Sequence, residues 1–217
     1  MSVADPPEVE RLSARLRSGT RAEHDAAQGS GFLDALAAGR LPREAYADLA
    51  AQHWFIYRDL EQAALAQRTD PVAGDFVRPE LHREPALAAD LAFLVGQDWQ
   101  SRVVALPATR AYTARLREVA FDRAPAFVAH HYTRYLGDLS GGQFLGPAIA
   151  KSFGLNGDGH RFFVFDGIRP AAFRSGYRDR LDAIVWTPGD EQEFLTEVSE
   201  AYRHNIAVLA DLKERWT

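Results

Sequence analysis

Apolar residues recur along most of this chain at intervals of three and four, which is the spacing of one face of an α-helix. The clearest stripe runs from about residue 42 to residue 68, where Leu49, His53, Ile56 and Leu60 fall on one side. This pattern predicts a long helix with that side turned toward the protein core.

The same periodicity predicts helix for most of the remaining chain. Shorter helices are expected at about 85–95 and 107–119, Pro125 is expected to open a long one, and two more are expected at about 170–184 and 188–214. The last begins with "TPGDEQEF", a sequence typical of a helix cap. Only the segment "RFFVF" is expected to be briefly extended.

The chain contains no repeat, no low-complexity tract and no linker that would divide it. Its length of 217 residues is that of one ordinary domain. We therefore expect a single all-α domain over residues 1–217, with a core at about 10–212 and helices packed in a non-bundle arrangement.

The stretch "HHYTRYLGDLSGGQF", residues 130–144, interrupts the helical pattern with three glycines. A glycine inside a helix costs about 1 kcal/mol relative to alanine, so a bare backbone must serve a purpose here. Gly137 and Gly141 share one helical face, which suits contact either with a flat ligand or with another helix. Asp138 could pair with Arg134 one turn earlier at the surface, or it could face inward and organise water.

A second candidate site lies near the N-terminus, where Arg17, Arg21, His24 and Gln28 form one stripe of a predicted helix. A single imidazole flanked by cations suits an iron porphyrin, because the ring nitrogen can bind the iron and guanidinium groups can meet the propionates. A partly buried histidine on an arginine-rich helix would give the same pattern.

Composition removes several kinds of chemistry. The chain has no cysteine, which excludes disulfides, thiolate metal sites and cysteine nucleophiles. It contains no HExxH, Glu-x-x-His, GxSxG, Walker or dinucleotide-binding pattern. The net charge of −5 argues against a nucleic-acid partner. No apolar run is long enough to span a bilayer and the N-terminus is unlike a signal peptide, so we expect a cytoplasmic protein without a membrane anchor.

Most of the other histidines receive structural interpretations. We expect His82 and His160 to be exposed in loops, and His130 and His131 to be structural. We expect His53 to pack or to form a hydrogen bond in the core.

The glycine motif resembles the distal-helix signature of the heme oxygenase family, almost letter for letter over "YTRYLGDLSGGQ". The resemblance extends to "SGTRAEHDAAQ" in the proximal helix, to "FVRPELHREPALAADLAF" and "QDWQ" in the centre, and to "FRSGYRDRLD" and "HNIAVLADL" near the C-terminus. It covers roughly residues 10–212. It implies a helical fold with heme b held between a proximal helix and a kinked distal helix.

On the distal side, the resemblance implies that Gly137 and Gly141 place their backbone over the heme, close enough to crowd a bound diatomic ligand. It also implies that Asp138 holds a water network in which Tyr57 and Arg134 take part.

On the proximal side, the resemblance implies that His24 is the axial iron ligand. It further implies that Tyr132 faces the pocket. Gln28 departs from the pattern of several relatives, which carry Glu there, and a neutral amide gives less support to the imidazole. The basic positions that resemble those steering or binding the propionates are Arg17, Arg21, Arg174 and Arg178.

The resemblance implies oxidative cleavage of heme, which would be both substrate and cofactor. The reaction would consume O₂ and electrons from an external donor, either a ferredoxin or a flavoprotein reductase, and would yield biliverdin, CO and ferrous iron. The arginine positions resemble those of relatives that cleave at the α carbon, which favours the α isomer of biliverdin.

Three other interpretations use parts of the same pattern. A heme carrier without turnover would need the axial histidine and the arginines, but not Asp138 with its glycines. A thiaminase-like protein would need a cysteine. A di-iron oxidase would need the Glu-x-x-His motifs that are absent from the sequence.

Overall fold

The fold is built from α-helices that follow the hydrophobic pattern closely. The computed structural model describes residues 10–19 and 31–217, without the side chain of Arg17, and these ranges contain no β-strand. The prediction of an all-α fold is confirmed. The helices are α1 (Leu12–Gly19), α2 (Phe32–Ala37), α3 (Arg43–Gln67), α4 (Glu84–Leu94), α5 (Pro107–Val119), α6 (Ala124–Phe153), α7 (Pro170–Ala183) and α8 (Pro188–Trp216).

Helix α3 has almost the bounds that its apolar stripe predicts. Leu49, Ile56 and Leu60 are fully buried, as the stripe requires, and belong to the hydrophobic core. His53 lies on the same stripe but is only half-buried. At His53, therefore, the inner face of α3 is not fully enclosed by core residues.

Helix α6 is the central element and packs against α2, α3, α7 and α8. It runs without interruption for 30 residues, although Pro147 lies inside it and lacks the N–H donor that an interior helical residue supplies. It ends at Gly154, whose φ of +64° is the left-handed conformation that glycine favours at a helix C-terminus. The expected kink at the glycine motif stays a prediction.

The segment "RFFVF" is not extended, contrary to the prediction. Arg161–Phe163 form a 3₁₀ turn, because the two carboxylate oxygens of Asp90 accept the backbone N–H groups of Arg161 and Phe162, each at 2.8 Å. The turn places Phe162 against His53 of α3 and places Phe163 against α6.

The two C-terminal helices also match their predicted ranges. Thr187 caps α8, since its side-chain oxygen accepts the backbone N–H of Asp190 at 3.2 Å. Within the described ranges, none of the helices is both long enough and apolar enough to cross a membrane.

The two histidines that begin the glycine motif were predicted to be structural, and both are buried and hydrogen-bonded. His130 Nε2 lies 3.2 Å from a carboxylate oxygen of Glu197, and His130 Nδ1 lies 3.3 Å from the hydroxyl of Tyr112. His131 Nδ1 lies 3.0 Å from the hydroxyl of Tyr177. Burial lowers the pKa of both histidines, so both imidazoles are neutral links between α6 and its neighbours.

The prediction that His82 and His160 are exposed is wrong. Both are half-buried, and one ring nitrogen of each is enclosed without a hydrogen-bond partner among the described residues. His82 directly follows the short 3₁₀ turn Pro79–Leu81, and His160 directly precedes the short 3₁₀ turn Arg161–Phe163. These turns keep the two loops close to the core.

Candidate functional site

A cavity of about 160 Å³ lies beside the glycine motif of α6, and we call it the α6 cavity. Its walls come from five elements: α2, α3, α6, α8 and the 3₁₀ turn that follows His160. The polar residues that line it are His53, Arg134, Asp138 and Asn205. The other lining residues are Leu33, Gly137, Gly141, Gly142, Leu145, Phe162, Phe163, Val208 and Leu209. An apolar enclosure with a few convergent polar groups is typical of a ligand site.

The four glycines of α6 in this region fall into two classes. A Cβ added to Gly142 would lie 3.3 Å from the ring of Phe163, and one added to Gly146 would lie 2.7 Å from the Cβ of Phe163. Close packing therefore explains these two glycines. Gly137 and Gly141 are exposed, and an added Cβ at either would have no heavy atom of the described residues within 4 Å. They leave bare backbone at the mouth of the α6 cavity.

Asp138 faces the cavity from the turn between those two open glycines. The hydroxyl of Tyr57, on α3, donates a hydrogen bond to Oδ2 of Asp138. Burial raises the pKa of the Asp138 carboxyl well above its ordinary value, because the ionised form loses its hydration there. The hydrogen bond from Tyr57 thus fixes the position of the Asp138 carboxyl in the cavity wall, and this carboxyl can hold a proton.

Arg134 does not form a surface pair with Asp138, so that alternative is wrong. Its side chain is only 8% exposed, and its Nη1 donates to the side-chain oxygen of Asn205 at 2.6 Å. Its guanidinium lies over the ring of Tyr57, 4.8 Å from the centroid. Its Nε and Nη2 are buried and have no hydrogen-bond partner among the described residues. Buried N–H groups of this kind call for water or a ligand in the adjoining space.

His53 and Asn205 line the cavity, although neither was predicted to be a site residue, and His53 was expected only to pack or to form a hydrogen bond in the core. The imidazole of His53 contacts the ring of Phe162 at a centroid distance of 5.0 Å and meets the ring of Tyr57 edge-on at 6.4 Å. Burial, and next the charge of Arg134, lower the pKa of His53 well below its ordinary value, so the ring is neutral. Its position one helical turn before Tyr57 was the available signal, because residues four apart share a face.

Helix α7 lies beside the glycine motif of α6. It carries Arg174 and Arg178, two of the basic residues predicted to belong to the site. Nη1 of Arg174 donates to the backbone oxygen of Leu139, which lies between the two open glycines. Arg178 is exposed one turn later. Tyr132 is half-buried near Tyr177, at a ring centroid distance of 6.1 Å, and does not line the α6 cavity.

The proximal predictions cannot be placed in this geometry. His24, Arg21 and Gln28 lie outside the described residues, as does the side chain of Arg17. Within the ranges that are described, no group of three or more His, Asp or Glu residues is arranged to hold a metal ion.

Comparisons with known proteins agree on one family. The family model described as Heme oxygenase matches residues 10–211. The chain is 36% identical to Heme oxygenase 1 of Homo sapiens over 210 residues, which are 95% of this chain and 73% of the human protein. It is 31% identical to Heme oxygenase 1 of Synechocystis over 203 residues, which are 93% of this chain and 85% of that protein.

Solved structures give the same result. The crystal structure of heme oxygenase-1 from Synechocystis in complex with heme has a TM-score of 0.88 to this chain at 30% identity, covering 94% of this chain and 93% of that one. The structure of heme oxygenase from Leptospira interrogans has a TM-score of 0.86 at 31% identity, covering 92% of this chain and 98% of that one.

Proposed function

The chain belongs to the heme oxygenase family, and from this premise we propose that the α6 cavity is the oxygen-binding side of its heme site. As a heme oxygenase, the protein is an enzyme that degrades heme to biliverdin, CO and iron. The observation that carries the assignment of the site is the bare backbone of Gly137 and Gly141 at the mouth of a cavity that contains Asp138.

The residues present fit a flat ligand at this mouth. A volume of about 160 Å³ is too small for a porphyrin, but it suits a diatomic molecule and a few waters. The porphyrin would therefore lie against the two open glycines, with the cavity behind them left for O₂ and water. A side chain at either glycine would occupy the surface that the macrocycle needs.

When bound, heme supplies both the iron that binds O₂ and the ring that is oxidised. The contribution of Asp138 is a carboxyl group whose pKa burial raises well above its ordinary value, so that it holds a proton more readily than an exposed aspartate and can pass it to cavity water. Tyr57 fixes the orientation of that carboxyl through its hydrogen bond. The apolar walls limit the number of waters and so exclude bulk solvent from the reacting groups.

Arg134 has a supporting part in the same site. It keeps a positive charge in the cavity wall, is anchored by Asn205 and lies over the ring of Tyr57. Its unpaired N–H groups would hold water near Asp138.

The remaining roles follow from the family. We propose that His24 would hold the heme iron through its imidazole, and that Gln28 would give that imidazole less support than a carboxylate would. The residues proposed to bind or steer the propionates are Arg17, Arg21, Arg174 and Arg178, and Tyr132 is proposed to face the heme pocket. The contact of Arg174 with Leu139 supports its inclusion, because it brings a guanidinium beside the glycine segment.

We further propose that residues 1–217 form one heme oxygenase domain and that the enzyme works in the cytoplasm. It would use O₂ with electrons from a ferredoxin or a flavoprotein reductase, and it would release the α isomer of biliverdin. The carrier alternative is set aside, because this chain belongs to a family of heme-degrading enzymes.

The test begins with hemin added to the purified protein, followed by a ferredoxin reducing system or ascorbate in air with catalase present. We expect the Soret band to disappear as biliverdin absorption grows, and chromatography against the four isomer standards to identify the α isomer. A Soret band that persists with both reductants would contradict turnover, and a different isomer would contradict the regiochemistry alone.

A further inference from the structure

The α6 cavity contains one polar side chain that has no role in the proposed function, the imidazole of His53. Its contacts with Tyr57 and Phe162 are ring contacts, and its ring nitrogens have no hydrogen-bond partner among the described residues. A polar ring placed in a cavity wall without a partner has hydrogen-bonding capacity that packing does not use.

The other polar groups of the cavity offer many donors and few acceptors. Arg134 has only N–H groups, and its Nε and Nη2 are without partners in the part of the chain that the structure describes. The oxygen of Asn205 already accepts a hydrogen bond from Arg134. The hydroxyl of Tyr57 already donates to Asp138. The oxygens of Asn205 and Tyr57 keep lone pairs that can also accept, and the carboxyl of Asp138 and the imidazole of His53 are the further acceptors available to cavity water.

The cavity is large enough for that water. At roughly 30 Å³ per molecule, a volume of this size holds about five waters. A water that accepts from the free N–H groups of Arg134 must donate its own protons elsewhere. Burial and the nearby guanidinium keep His53 neutral, so one of its ring nitrogens carries a lone pair and can accept such a proton.

We propose that His53 is a positioning residue of the heme oxygenase reaction, which accepts a hydrogen bond from cavity water and thereby fixes the water chain between Arg134 and Asp138. This role rests on the proposed function, since the water chain is the route by which Asp138 would deliver a proton. His53 acts through water and does not touch the substrate.

The test compares His53→Leu, which keeps an apolar side chain of similar reach, with His53→Gln, which restores a hydrogen-bond acceptor. The matched control is His204→Leu, because the ring of His204 stacks on Tyr112 at 4.9 Å and does not line the cavity. The measurements are hemin affinity, the biliverdin formation rate and the infrared C–O stretch of the ferrous CO complex. The C–O stretch responds to hydrogen bonding in the cavity.

We expect His53→Leu to bind hemin within about twofold of wild type and to form biliverdin about fivefold more slowly, the usual effect of one lost hydrogen bond. Its C–O stretch should shift from the wild-type value. The Gln variant should recover most of the rate and of the stretch, and His204→Leu should match wild type in all three measurements.

Two results would overturn the proposal. One is a His53→Leu protein whose C–O stretch is unchanged. The other is a His53→Gln protein as impaired as His53→Leu, since that would show that ring shape and not hydrogen bonding matters.

A separate readout uses the heme-free chain, in which the ring ¹⁵N shifts of His53 should show a neutral imidazole whose unprotonated nitrogen accepts a hydrogen bond. An unprotonated nitrogen without that bond would refute the proposal even if the wild-type protein proved unable to degrade heme, so the two failures are distinguishable.

Discussion

The hydroxyl of Tyr57 donates a hydrogen bond to Oδ2 of Asp138 and so connects helix α3 to helix α6 within the α6 cavity. Tyr57 has no exposed surface, and its ring contacts the ring of Tyr135, at a centroid distance of 5.4 Å, and the guanidinium of Arg134. The phenol therefore cannot swing away. Burial raises the pKa of the Asp138 carboxyl well above its ordinary value, so this contact fixes in place a carboxyl that holds a proton more readily than an exposed one.

The first prediction concerns the proton on Asp138. Asp138→Ala should bind hemin normally but lower the biliverdin formation rate by about 100-fold or more, the usual contribution of a positioned acid or base. The measurements are a Soret titration for affinity and the growth of biliverdin absorption for rate.

Asp138→Asn separates the proton from the hydrogen bond. Its amide oxygen can still accept from Tyr57, but the amide carries no acidic proton. We expect this variant to be as slow as the alanine variant. Biliverdin formation at the wild-type rate in either protein would contradict the role of Asp138.

The second prediction tests the axial ligand. His24→Ala should lose the ferrous CO spectrum of an imidazole-bound heme, because no other ligand is proposed on that side. Added imidazole should restore that spectrum. A variant whose CO spectrum matches wild type without imidazole would show that another residue binds the iron.

The third prediction concerns stability against pH. Burial, followed by the charges of His82 and Arg180, lowers the pKa of His131 from 6.5 to about 3. Below pH 6.5 the unfolded chain therefore binds a proton that the folded chain does not. The stabilising contribution is complete above that pH and is lost as the pH falls toward 3.

His131→Gln should make the free energy of unfolding less dependent on pH, by up to about 1.4 kcal/mol per pH unit between roughly pH 6 and pH 4. Gln keeps a neutral hydrogen-bonding group opposite Tyr177 but takes up no proton. The measurement is urea unfolding of the heme-free chain followed by circular dichroism. Parallel curves of stability against pH for the two proteins would contradict the prediction. The pKa values of His53 and His130 are lowered in both wild type and His131→Gln, so their effects cancel in the difference between the two curves of stability against pH.

The helices could be predicted from sequence because each buries one stripe of apolar residues, and that stripe is a local property of the chain. Helix α3 and helix α8 appear within a few residues of their expected bounds for this reason. Helix α2 is only six residues long, which is too short for a periodic signal.

The site was harder to predict because its geometry depends on contacts between distant segments. The residues around Arg134 do not determine whether its side chain lies at the surface or in the interior. Its buried position depends on Asn205, 71 residues later, which provides an acceptor inside the fold. The extended conformation expected for "RFFVF" is wrong because the carboxylate of Asp90 holds a turn that no pattern within the segment reveals. The same turn places Phe162 against His53, and both residues line the α6 cavity, so a position predicted to face the core lies in a cavity wall.

The last prediction separates the two classes of glycine. Gly146→Ala should destabilise the heme-free chain, because its Cβ would lie 2.7 Å from the Cβ of Phe163, which the turn holds in place. An overpacked core residue costs about 1–3 kcal/mol, which exceeds the gain of roughly 1 kcal/mol from replacing a helical glycine.

Gly141→Ala should have the opposite effect on the heme-free chain. An added Cβ meets no described atom within 4 Å, so only the helix propensity changes. We expect a gain of about 0.5–1 kcal/mol in the free energy of unfolding. Once hemin is added, the same methyl group should weaken binding or slow biliverdin formation, because it occupies the surface proposed for the porphyrin and its O₂. A Gly141→Ala protein that binds and degrades heme like wild type would show that the open glycine face serves some other purpose, whatever the stability measurements give.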